Sequence, residues 1–124
     1  MTGIGDLKRI AEVEFSEMVK STHIHDYKLR ILLVDNSIID VYLSQSIPGK
    51  FGFHWECMDK RGSFYRYDNY PDQNFKSVST FPFHFHNGKQ ECVEASSFPL
   101  TIIDGFRGFL EFVNNKMESR LKKT

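Results

Sequence analysis

Between residues 51 and 68, rings recur at every second position: Phe51, Phe53 and Trp55, then, beyond a loop containing Gly62, Tyr65 and Tyr67. A period of two is that of a β-strand, whose successive side chains leave opposite faces of a sheet. Gly52, His54 and Glu56 fill the alternate positions of the first run, and Arg66 and Asp68 those of the second. The stretch therefore reads as a hairpin with an apolar face and a polar face, joined through Asp59-Lys60-Arg61-Gly62. The ring-bearing face must be covered by other parts of the chain.

The same alternation appears upstream. From Asp26 to Asp35, Tyr27, Leu29, Ile31 and Leu33 alternate with Lys28 and Arg30, and Asp35-Asn36-Ser37 forms a turn. Ile39, Val41 and Leu43 then alternate with Asp40 and Tyr42 before Pro48-Gly49 breaks the chain. Downstream, Asn69 to Ser79 is a polar loop holding Pro71, and Phe81, Phe83 and Phe85 oppose His84 and His86. Pro82 cannot donate to a ladder, so this last segment reads as an edge strand or an ordered extended loop. Asn87-Gly88 predicts a turn toward a short strand at Glu91 to Val93.

Two amphipathic segments bracket the strands. Leu7, Ile10, Ala11, Phe15, Met18 and Val19 recur at helical spacing and predict a helix over Asp6 to Lys20, with Asp6 as its cap and an end near Ser21. His23 to Asp26 then reads as a solvated link. Near the other end, Pro99 precedes a helix that Thr101 can cap, with Asp104 completing an approximate capping box. Ile102, Ile103, Phe106, Phe109, Leu110, Val113 and Met117 form its apolar stripe, Gly105 and Gly108 permit close packing, and Arg120, Lys122 and Lys123 suit its negative end. Strands in sequence between two helices predict an α+β fold: an antiparallel meander of four to five strands packed against an N-terminal and a C-terminal helix, with residues 1–124 as a single domain.

Composition narrows the function classes. At 40% hydrophobic the chain can fill a core, and sixteen basic residues against sixteen acidic ones exclude a generic polyanion binder. A nucleic-acid role must be local to a site. Cys57 and Cys92 lack metal-finger spacing and read as buried thiols in a reducing compartment. The N-terminus lacks the build of a signal peptide, and no apolar run approaches the roughly 20 residues that span a bilayer. The expectation is a soluble cytoplasmic protein with no membrane partner.

Strand parity gathers the chemistry. If Phe51, Phe53 and Trp55 face the helices, His54 faces away; Arg66 and Asp68 share that side, as do His84 and His86. Imidazoles can act as base and acid on a phosphodiester near neutral pH, Arg66 can bind the charge developing on phosphorus, and Asp68 can fix a histidine tautomer. Tyr67 or Tyr70 can stack on an unpaired base. Plainer readings stay open: His84 and His86 as the wet side of an edge strand, Arg66 and Asp68 as an exposed ion pair, His54 as a packed ring beside Trp55. Metal is a further option, since His84 and His86 share a face and His23 and His25 form a second pair. No acidic or cysteine cluster visible in sequence completes either set, so no metal or other cofactor is expected.

Four segments also resemble the TumE-like proteins, small toxins of type II toxin–antitoxin systems. FGFHWECMDKRG is similar to the family's aromatic-His strand and turn, FYRYDNYP to its Arg-aromatic-Asp-Asn-x-Pro segment, and STFPFHFHNG to its Thr-Phe-Pro-His-rich segment. The fourth is the acidic short strand leading to Pro99 and the final helix. The resemblance implies a cytoplasmic toxin acting on RNA as a ribonuclease-like translation inhibitor, neutralised by a co-expressed antitoxin. The positions it implies are His54, Arg66, Asp68, Asn69, His84 and His86, of which Arg66 and Asn69, with Tyr67 and Tyr70, would contact RNA. The chain departs from the pattern at Asp72 and Gln73, where relatives carry histidines, and at Phe83, where they tend to carry another. The alternative is a non-catalytic interaction module that binds a partner protein by strand addition at Phe81 to His86. Oligomeric state is open.

Overall fold

A computed structural model describes residues 3–57, 61–72, 74 and 76–122. The expected loop positions Asp59 and Lys60, the departure at Gln73 and the tail residue Lys123 lie outside these. Nine elements follow in order: α1 (Ile4–Glu14), β1 (Val19–His25), β2 (Lys28–Leu33), β3 (Ile38–Leu43), β4 (Phe51–Glu56), β5 (Phe64–Asp68), β6 (His84–Gly88), β7 (Val93–Ala95) and α2 (Ile102–Lys122). The strands form one sheet in sequence order, every neighbouring pair antiparallel.

The α+β class and the two bracketing helices match expectation, but the sheet has seven strands rather than four to five. The first extra strand is β1, expected to be the end of a helix and a solvated link. The helix closes earlier because Met18 and Val19 both donate backbone bonds to the Phe15 carbonyl, and Met18 drops into the core while the chain turns. Asp26, at φ 58°, then closes a two-residue hairpin into β2. Asp6 serves α1 from one turn inside, accepting from Gly3 N–H at 2.8 Å. The second correction is β6, which is no edge. It pairs with β5 on one side and β7 on the other, and Pro82 is left in the preceding turn, where it need not donate. Asn87 and Gly88 belong to β6 rather than to a turn, and the outermost strands are β1 and β7.

Both helices cover one face of the sheet. Leu7, Ile10 and Ala11 of α1 and Phe106, Phe109, Leu110, Val113 and Met117 of α2 pack over Leu29, Ile31, Ile39, Val41, Phe51, Phe53, Trp55, Tyr67 and Phe85. The helices are tied by Arg107, whose guanidinium donates two 2.8 Å bonds to Glu14. Trp55 is fully buried with its indole N–H on Ser37 Oγ at 2.9 Å. Gly105 lets α2 approach: a Cβ there would stand 2.8 Å from the Pro99 carbonyl. Neither cysteine forms a disulfide; Cys57 is buried as expected, whereas Cys92 is half-buried. No helix among the described residues is long and apolar enough to cross a membrane.

Candidate active site

The face of the sheet opposite the helices carries the polar residues that alternate with the core. Register lines them up in two rows running across the strands. One row reads His23, Arg30, Asp40, His54, Arg66, His86 from β1 to β6; the next reads His25, Lys28, Tyr42, Gly52, Asp68, His84. His54, Arg66, Asp68, His84 and His86 thus sit on three adjacent strands, about 5 Å apart from one strand to the next. They line one small cleft of about 270 Å³ together with Phe64, Tyr70, Asp72 and Gln90.

The five are less exposed than an edge strand would leave them. Asp68, His84 and His86 are each only 2% exposed, because β7 extends the sheet past β6 and the turns on either side of β6 fold over the two rings. His84 Nδ1 lies 3.0 Å from the Pro82 carbonyl and His86 Nδ1 3.0 Å from the Gln90 carbonyl, so each Nδ1 carries a proton. The reading of these rings as the wet side of an edge strand is therefore overturned.

Asp68 is the hub. Its Oδ2 accepts from Arg66 Nε at 2.7 Å, and its Oδ1 accepts from Tyr70 N–H at 3.0 Å and faces His84 Nε2 at 3.1 Å. His84 has a carbonyl at one ring nitrogen and a carboxylate at the other, so its ring is held in place from both sides. His86 differs. Burial pushes its pKa below the usual histidine value, so it is neutral near pH 7, and with Nδ1 protonated its Nε2 carries the lone pair.

His54 joins from β4. Its Nε2 pairs with Glu56 at 2.8 Å and its ring stacks on Phe64 at 4.9 Å between centroids. His54 Nδ1 is buried and has no hydrogen-bond partner among the described residues. An orphaned buried polar atom is costly and is characteristic of sites completed by a ligand or by chemistry. Arg66 lies between His54 and His86 and over the Tyr70 ring, 5.2 Å from its centroid. Gly52 makes room for it: a Cβ there would meet Arg66 Nη2 at 3.0 Å.

Other expected contacts are corrected. Tyr67 is fully buried in the core with its hydroxyl donated to the Pro99 carbonyl at 3.0 Å, so it has no ring face for a base. Asn69 uses both ends of its amide internally, accepting from Phe51 N–H and donating to Gly49 O. Tyr70 does line the cleft, and burial raises its pKa, keeping the phenol protonated. Phe83 packs against Phe51 and Tyr67 on the helix side, away from the cleft.

The expectation that no acidic group joins a histidine pair is also overturned: ligand atoms of Asp68, His84 and His86 lie within 4.8 Å of one another and could hold a cation. Arg66 argues against a dication there, since its guanidinium already neutralises the same carboxylate and would repel the ion. The donor set fits proton chemistry better than coordination. His23 and His25 stack at 6.5 Å on the outermost strand, far along the rows from that trio.

A family model described as Toxin TumE matches residues 4–117. No curated protein matches the chain, and no solved structure does.

Proposed function

The chain belongs to the TumE toxin family, and from that premise we propose that it is a cytoplasmic toxin that cleaves RNA without a metal, held in check by an antitoxin partner. The observation that carries this reading is the row His54–Arg66–His86, in which β5 presents Arg66 between the two histidine-bearing strands, its guanidinium turned toward Gly52 and Asp68. Two strand spacings of about 5 Å separate the outer rings' backbones, a span that can bracket one phosphodiester.

Each group then has a role its surroundings suit. Neutral His86 takes the 2′-hydroxyl proton through Nε2, and the 2′-oxygen attacks phosphorus. The P–O5′ bond breaks, and His54, held through Glu56 on the other side of Arg66, returns a proton to the departing oxygen. The products are a 2′,3′-cyclic phosphate and a 5′-hydroxyl, with no net change in protons. Arg66 binds the non-bridging oxygens with the guanidinium nitrogens that Asp68 leaves available. Asp68 and His84 position that clamp.

Induced expression in a bacterium tests the reading, comparing wild type with His54→Ala and with His86→Ala. Wild type should arrest growth and yield RNA fragments ending in cyclic phosphate, and either variant should lose both effects while keeping its native Trp55 fluorescence. Intact RNA in arrested wild-type cells would remove the ribonuclease mechanism. The second reading, a non-catalytic interaction module, moves from Phe81–His86 to the outer strand β1, most of whose residues are exposed. Stable co-purification with a partner protein and no RNA damage would favour it.

A further inference from the structure

The open face holds a second, larger cavity, about 680 Å³, that shares His54, Arg66 and Tyr70 with the small cleft and runs from there to β1. Its lining includes Lys28, Arg30 and Arg66 and three imidazoles, against a single carboxylate, Asp40. In a chain of zero formal charge that is a marked segregation. The cavity also presents rings: Tyr42 meets Tyr70 edge-on at 6.3 Å, and Lys50 sits 4.5 Å over Tyr70.

We infer that this cavity is a binding track for single-stranded RNA, entering over β1 and β2 and delivering one phosphodiester to the cleft between β4 and β6. The inference rests on the ribonuclease reading and extends it to the substrate's form. The two cross-strand rows put Lys28 and Arg30 on β2 and Arg66 on β5, with the imidazoles of His23 and His25 beyond them on β1. From β1 to β6 the rows cover five strand spacings, about 24 Å. Sites of this kind take about four nucleotides or more, with phosphates on the basic groups and bases on the rings. Stacking on Tyr42 and Tyr70 requires unpaired bases, which selects a single strand over a duplex. Arg30 now holds Asp40 through bonds of 2.9 and 3.1 Å, with side chains 61% and 44% exposed. An ion pair that open is worth little, so a phosphate can compete for the guanidinium.

The test is binding of a labelled single-stranded oligoribonucleotide, 2′-O-methylated so that it stays intact, to wild type and to a Lys28→Ala, Arg30→Ala double variant across a salt series. Both side chains are exposed, and thermal melting confirms that the variant folds. Loss of two phosphate contacts should weaken affinity roughly tenfold and flatten the slope of log affinity against log salt by about 1.4. Unchanged affinity and slope, with wild type still cleaving RNA, would overturn the track and leave the ribonuclease reading standing. Failure of wild type to bind or cleave any single strand would overturn both. A variant that binds RNA normally but no longer co-purifies with the antitoxin would make the cavity a protein interface, and the inference falls.

Discussion

Replacing Asp68 with Asn tests the hub of the site. The side chain is 2% exposed and accepts from Arg66 at 2.7 Å and Tyr70 N–H at 3.0 Å, with His84 at 3.1 Å. Asn keeps the shape, loses the charge, and turns an NH₂ toward at least one group that itself donates. Removing one partner of a buried ion pair costs about 3–5 kcal/mol, because the other charge is left uncompensated. Arg66 keeps 28% of its side chain in solvent and can recover part of that through water, which brings the expected loss to about 2–3 kcal/mol. For a chain of this length that corresponds to a fall of roughly 10 °C in melting temperature. Urea unfolding followed by Trp55 fluorescence reads it directly, since Trp55 is the chain's single tryptophan and lies in the core. Toxicity should fall along with stability, but it should stay low at 20 °C, where the folded variant predominates. A loss below about 0.5 kcal/mol would show that the carboxylate bears no net charge load. Full toxicity in the folded variant would show that it positions nothing.

Gly52→Ala separates the site from the fold: its Cβ would press Arg66 Nη2 at 3.0 Å, while an alanine in the strand should leave stability within about 1 kcal/mol of wild type. RNA cleavage should therefore drop with no matching change in urea midpoint, and retained cleavage would remove Arg66 as the clamp. His86 sets a pH dependence. Its folded pKa lies below the 6.5 of an unperturbed histidine, so as pH falls through about 6.5 the unfolded chain takes up a proton that the folded chain resists. Stability should accordingly be lost on acidification below that point, and His86→Gln should flatten this part of the curve measured by thermal melting; identical slopes in the two proteins would contradict a buried neutral ring.

How far the sequence showed this depended on packing. Strands β2 to β5 were legible because one of their faces is buried, and burial writes an apolar residue at every second position. Strand β1 was not, because it lies at the sheet's margin: Ile24, its one large aliphatic beyond Val19, is 36% exposed, and Met18 and Val19 continue the helical spacing of α1. Missing β1 hid the two rows, since His23 and His25 acquire meaning only from their register with Arg30 and Lys28. Parity put His54, Arg66, Asp68, His84 and His86 on one face, but it carries no information on cover. That the turn at Pro82 and the chain at Gln90 close over His84 and His86 follows from tertiary bonds between backbone carbonyls and ring nitrogens, which no alternation encodes. Tyr67 is a different case: parity already placed it on the core side, where it is fully buried, and a role in stacking on RNA was incompatible with that placement.

The two faces of the sheet divide the work in a way that explains why the polar one can hold a costly arrangement. A buried carboxylate, two buried imidazoles and an orphaned His54 nitrogen all oppose folding unless they are mutually satisfied. On the opposite face Phe51, Phe53, Trp55, Phe106 and Phe109 are almost wholly buried, each contributing roughly 1.5–3 kcal/mol through removal of apolar surface from water. Because side chains alternate, the same strands carry both sets, so the core that drives folding also fixes the spacing of the groups behind it. His54 stands between Phe53 and Trp55, and Arg66 between Tyr65 and Tyr67. Neither can shift along its strand without pulling a ring out of the core. That coupling adds to the rigidity the site draws from its own bonds around Asp68, and it holds His54 Nδ1 in place even though that atom has no hydrogen-bond partner among the described residues.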